Sequence, residues 1–124
     1  MKVQSFDKPT TIEAVGNGSY RYRWNIDKII STNEENRDFW LWDEVIIPLP
    51  LTSNRITKAV IEEMWDSSYE QKLINEYNAA QLGVYDADKA AKKIEEYKSF
   101  LEQREKVKEE VDEEYRKWEN WRKH

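Results

Sequence analysis

Residues 77–93, YNAAQLGVYDADKAAKK, read as the end of one helix, a reversal at Gly83 and the start of another. Glycine reaches a left-handed backbone without the penalty other residues incur, so Gly83 serves as a helix stop. Asp86 follows at the spacing of an N-cap, its carboxylate able to accept from the first free N–H groups of the next helix. With only three glycines in 124 residues, this placement marks the corner of an αα-hairpin.

Upstream, helical spacing begins near Asn54. Ile56, Val60, Ile61, Met64 and Trp65 form one apolar stripe. After a break at Asp66-Ser67-Ser68 the stripe resumes through Tyr69, Leu73, Ile74, Tyr77 and Ala80. Ser67 and Glu70 have capping-box spacing, which predicts a kink or a fresh helix start there. Downstream, the spacing predicts one helix from about Ala87 to Trp121, with Ala90, Ile94, Tyr97, Phe100, Leu101, Val107, Val111, Tyr115 and Trp118 on its apolar side. Its other side is charged: from Asp86 to His124 there are 12 acidic and 11 basic residues, the pattern of a solvated face with i to i+4 pairs.

The first 50 residues follow a different period. SYRYRWNI, residues 19–26, sets Tyr20, Tyr22, Trp24 and Ile26 on one side and Arg21, Arg23 and Asn25 on the other, a half-buried strand with its arginines outward. VGNGS before it is a turn signal, so the weaker run from Thr11 to Val15 pairs with it as a hairpin. The Asn17-Gly18-Ser19 sequon belongs to that turn. DFWLWDEVII, residues 38–47, is a second strand with apolar residues on both faces. STNEENR, residues 31–37, is the polar loop between them, and Pro48 and Pro50 end the strand. The expected architecture is therefore α+β: a small aromatic antiparallel sheet over residues 1–50 and a helical hairpin over 51–124, together one folding unit.

Length gives the long helix a consequence. Some 36 residues at 1.5 Å each span about 54 Å, against a radius of gyration of about 14 Å for a compact domain of this size. Folded back along residues 54–82, the helix runs out of partner at about residue 113. Tyr115, Trp118 and Trp121 then overhang and must meet the N-terminal strands or a second chain. Aromatic residues near an exposed helix end are candidate partner-binding anchors.

Composition limits the chemistry. The formal charge of −5 offers no general attraction to nucleic acid or anionic lipid, so neither is expected as a partner. Arg21 and Arg23 interleaved with aromatics suit alternation better than a stacking platform for single strands. Trp24, Trp40 and Trp42 are read as core. There are no cysteines, which rules out disulfides and thiolate metal sites. The N-terminus lacks the apolar run of a signal peptide, and no stretch reaches the roughly 18 apolar residues of a membrane span. The expected location is the cytoplasm or a particle assembled there.

His124 is the sole histidine and the last residue, a poor position for a general base or imidazole ligand held by an orienting partner. Glu109, Glu110, Asp112, Glu113 and Glu114 point outward around a helix and are balanced by Lys106, Lys108, Arg116 and Lys117. Glu62-Glu63 and Glu95-Glu96 are adjacent helix positions that do not face each other. Gly16, Gly18 and Gly83 match no phosphate-binding loop. No catalytic residue, cofactor or metal ligand is expected.

The succession RYRWNI, WDEVIIPLPLTSNRITKAVIEEMW and YEQKLINEYNAAQLGVYDADKAAKKIEEYKSFLEQREKVKEEV resembles a group of small uncharacterised proteins encoded in phages and prophages of gut Bacteroidetes. The resemblance covers roughly residues 20–111, and LINEYNAAQLG followed by an aromatic, charged helix is its most specific part. Some phage tail and tail-fibre assembly proteins have a similar charged C-terminal helix. The resemblance implies a virion or tail-assembly component that works by protein binding, through self-association or docking to a phage structural protein. It supplies no catalytic residues. An acidic adaptor or host-directed inhibitor is the alternative expectation.

Overall fold

Alternation of aromatic and polar residues makes the N-terminal region a sheet. In a computed structural model that describes residues 1–30, 32 and 37–123, four strands form: β1 (Lys2–Ser5), β2 (Ile12–Ala14), β3 (Ser19–Ile29) and β4 (Phe39–Pro48). Three helices follow: α1 (Ser53–Met64), α2 (Ser67–Gln81) and α3 (Ala87–Arg122). The α+β architecture expected from the sequence is the one observed. The loop expected over 31–37 falls mostly, and His124 wholly, outside the described residues.

The sheet is antiparallel, in the order β1-β4-β3-β2. Its two outer strands, β1 and β2, are consecutive in sequence, so residues 6–11 carry the chain across one face from edge to edge. Nothing in MKVQS announces β1. It is short and has a single large apolar residue, Val3, opposite Trp42. Tyr20, Tyr22 and Trp24 share a face with Ile47, Val45 and Asp43, while Arg21 and Arg23 share the other with Ile46 and Glu44. One extra residue in β3 between Trp24 and Asp27 makes a bulge. There Asn25 adopts a positive φ of 53°, a conformation asparagine tolerates, and its side chain donates to Asp43 Oδ2 at 3.0 Å.

Arg23 does not point to solvent as alternation predicted. It is 6% exposed, paired with Glu44 at 7%, because residues 6–11 cover that face of the sheet.

The chain divides into two compact units, residues 1–59 with 111–124, and residues 60–110. Ile12, Tyr22, Trp42, Ile47, Ile56 and Val111 are buried in the first. The hydroxyl of Tyr115 donates to the Leu51 carbonyl at 3.1 Å, and Ser53 Oγ donates to Asp112. Burial, then the neighbouring Glu119 carboxylate, pushes the Tyr115 phenol above its ordinary value.

The second unit holds Val60, Leu73, Ala80, Phe100 and Val107. Trp65 and Tyr69 meet Phe100 edge-on, with centroids 5.1 and 5.9 Å away. Tyr77 and Tyr97 lie 5.2 Å apart. Asp66, one residue before the expected Ser67, caps α2 by accepting from the Ser68 N–H. At the far end the Val84 N–H reaches Ala79 O and the Gly83 N–H reaches Ala80 O, a Schellman closure with Gly83 at φ +76°. Asp86 Oδ1 then accepts from the Lys89 N–H at 2.8 Å, opening α3.

Candidate partner-docking groove

The last turns of α3 lie within the sheet-bearing unit, and the three aromatics singled out there have different surroundings. Trp118 packs edge-on against Tyr20 of β3 at 5.6 Å and stacks on Tyr115 at 5.8 Å. Tyr115 is tied to Leu51. These two are thus engaged with their own unit. Trp121, one turn beyond, is 74% exposed.

Trp118 and Trp121 line one side of an open groove of about 560 Å³. The segment Lys8–Ile12, Trp40 of β4 and Ile26 of β3 complete its lining. Lys8, Lys117 and Glu114 provide charge at its rim. Lys117 pairs with Glu114 at 3.7 Å. Lys8 Nζ stands 5.3 Å from the Trp40 ring centroid, a cation–π arrangement, and has no carboxylate at ion-pair distance among the described residues.

A buried ionic cluster holds the Lys8–Ile12 lining in place. Arg23 Nε donates to Glu44 Oε1 at 2.9 Å, its Nη1 to the Thr10 carbonyl at 3.0 Å and its Nη2 to Glu13 Oε1 at 3.1 Å. Arg21 Nη1 shares Glu13 Oε1 at 3.2 Å, and Trp42 Nε1 donates to Glu44 at 3.2 Å. Two arginines thus balance two glutamates across β2, β3 and β4. Burial pushes the Glu44 carboxyl up, but hydrogen bonds from Arg23 and Trp42 and the charges of both arginines outweigh it and hold the pKa below the ordinary value. The bond to Thr10 fixes the strip of backbone that walls the groove, so the cluster acts on the groove through position.

Sequence reasoning found the helix side of this groove from the overhang of α3. It missed Lys8, Trp40 and Ile26, which become neighbours only when residues 6–11 cross the sheet. Gly83 and Asp86 belong to the α2–α3 corner in the other unit and take no part in the groove. Among the described residues, no acidic or histidine cluster has the arrangement to hold a metal, and no helix is long and apolar enough to cross a membrane. No family model matches the chain, and no curated protein or solved structure matches it either.

Proposed function

We propose that this chain is a non-enzymatic binding component of a phage particle or of its tail assembly, docking a structural protein of that particle through the groove at the end of α3. The observation that carries the docking reading is Trp121: a large aromatic left 74% exposed in a groove whose Lys8–Ile12 lining is fixed at Thr10 by a buried arginine. Large aromatics dominate the energetics of protein interfaces because they cover much area at little conformational cost. The phage setting is supported by the resemblance of residues 20–111 to phage-encoded proteins.

Photo-crosslinking tests this reading in cells assembling the particle. A benzoylphenylalanine placed at position 121 is expected to form adducts with one structural protein of the particle. The same group at Leu82, 81% exposed in the other unit, is expected to form none with it. Equal labelling from both positions, or none from position 121, contradicts the reading.

A further inference from the structure

The groove borders an unfinished sheet edge. β2 pairs with β3 only over residues 20–22, and one further bond joins the Arg23 N–H to Thr11 O at 2.8 Å. Beyond it the chain turns away through Thr10, Pro9 and Lys8, while β3 runs on to Ile29 against β4. Among the described residues, no strand covers the other side of β3 past the bulge.

The direction of the free backbone groups follows from the register. Glu44 N–H donates to Met1 O, so residues 40, 42 and 44 of β4 turn their backbone toward β1 and residues 39, 41 and 43 toward β3. Asp27 and Ile29 lie opposite Leu41 and Phe39 and use their N–H and C=O on β4. Ile26 and Lys28 turn theirs to the open side, and Ile26 also lines the groove. A strand edge whose donors and acceptors have no partner among the described residues is a template for another strand.

We infer that the groove takes an extended segment of a partner protein, added to the open edge of β3 at Ile26 and Lys28 in line with β2, with apolar side chains on Trp40 and Trp121 and a carboxylate against Lys8. This rests on the docking reading above and specifies the partner. Charge selects the occupant: the Lys8 ammonium is held over Trp40 with no carboxylate at ion-pair distance among the described residues, whereas Lys28 on the same edge already pairs with Asp38 at 3.9 Å. A second copy of this chain fits poorly, because the two-fold register centred on the open stretch pairs Ile26 with Lys28 of the copy and sets Asp27 opposite Asp27, and like charges directly opposite destabilise a strand pair.

The test measures binding of the full chain to a capped synthetic peptide that alternates glutamate with isoleucine, and to the same peptide N-methylated along one edge. N-methylation removes main-chain donors while keeping every side chain, so strand addition predicts at least a ~tenfold loss of affinity. Lys8→Gln is expected to weaken the parent peptide severalfold and to reduce its salt dependence. Amide exchange supplies a readout in the unmodified protein: Ile26 and Lys28 should slow on addition of the parent peptide. Equal binding of the two peptides overturns strand addition but leaves side-chain docking standing if Trp121→Ala still weakens both. No binding of the parent peptide overturns the proposed partner chemistry, and the photo-crosslinking result then judges docking alone. Binding indifferent to Trp121→Ala contradicts docking in this groove.

Discussion

Residues 60–110 and the sheet-bearing unit bury apolar surface by opposite means. In the helical unit, Phe100 is enclosed by Trp65 and Tyr69, and the carboxylates of Glu70 and Glu76 pair with Arg104 and Lys93 of α3 near the surface. Local propensity, capping and apolar spacing agree there. The sheet-bearing unit buries an arginine and a glutamate and stops β2 after three residues; among the described residues its most exposed large apolar side chain is the aromatic Trp121, where those of the helical unit are the aliphatic Leu82 and Val84. Departures of this kind concentrate where a surface serves something besides folding. On the proposed reading, residues 60–110 are the scaffold and the sheet-bearing unit carries recognition.

The comparison breaks most readily at its two cores. Phe100→Ala should destabilise the chain by about 3–5 kcal/mol, measured by urea unfolding, with amide protection falling more in residues 60–110 than in the sheet. An equal loss of protection in both would mean that the units unfold only together.

Glu44→Gln should cost about 3 kcal/mol, since it strands a buried guanidinium, and Glu13 and Thr10 O compensate only in part. Replacing Arg23 and Glu44 together by leucine should cost far less. The pH dependence follows from the depressed pKa of Glu44. Folding favours the carboxylate, so its contribution is complete above the unfolded glutamate value of about 4.3. It is lost as pH falls through the folded value, and Glu44→Gln should flatten that part of the acid-unfolding curve.

At the helical corner, Gly83→Ala should cost about 1 kcal/mol through its positive φ alone, because a Cβ there meets nothing within 4 Å. Asp86→Ala should cost about 1 kcal/mol through loss of the cap. Thermal melting checks both, and neither should alter peptide binding. The smallest effect on stability belongs to Trp121→Ala, within about 0.5 kcal/mol, although its effect on association should be the largest of the series.

The contrast also explains what the sequence disclosed. Gly83, Asp86 and the stripe through Leu73, Tyr77 and Ala80 act over a few residues, so the helical elements were legible from spacing. The alternation of Tyr20, Tyr22 and Trp24 disclosed β3 for the same reason. Arg23 was misread as outward because its partner Glu44 lies 21 residues away and its cover is a crossing segment that no local period announces. Asp66 displaced Ser67 as the cap because its carboxylate accepts from both the backbone N–H and the hydroxyl of Ser68. Only half of the groove was legible, the half that a helix too long for its partner leaves over.

The central claim is that recognition resides at the open edge beside Trp121 and that residues 60–110 take no direct part in it. Mapping backbone amide chemical shifts of the full chain as the alternating glutamate–isoleucine peptide is added tests this most directly. The account predicts changes at Lys8–Ile12, at Ile26 and Lys28, and at the Trp40 and Trp121 indoles. Changes centred on residues 60–110, or a groove that does not respond while the peptide binds elsewhere, would contradict it.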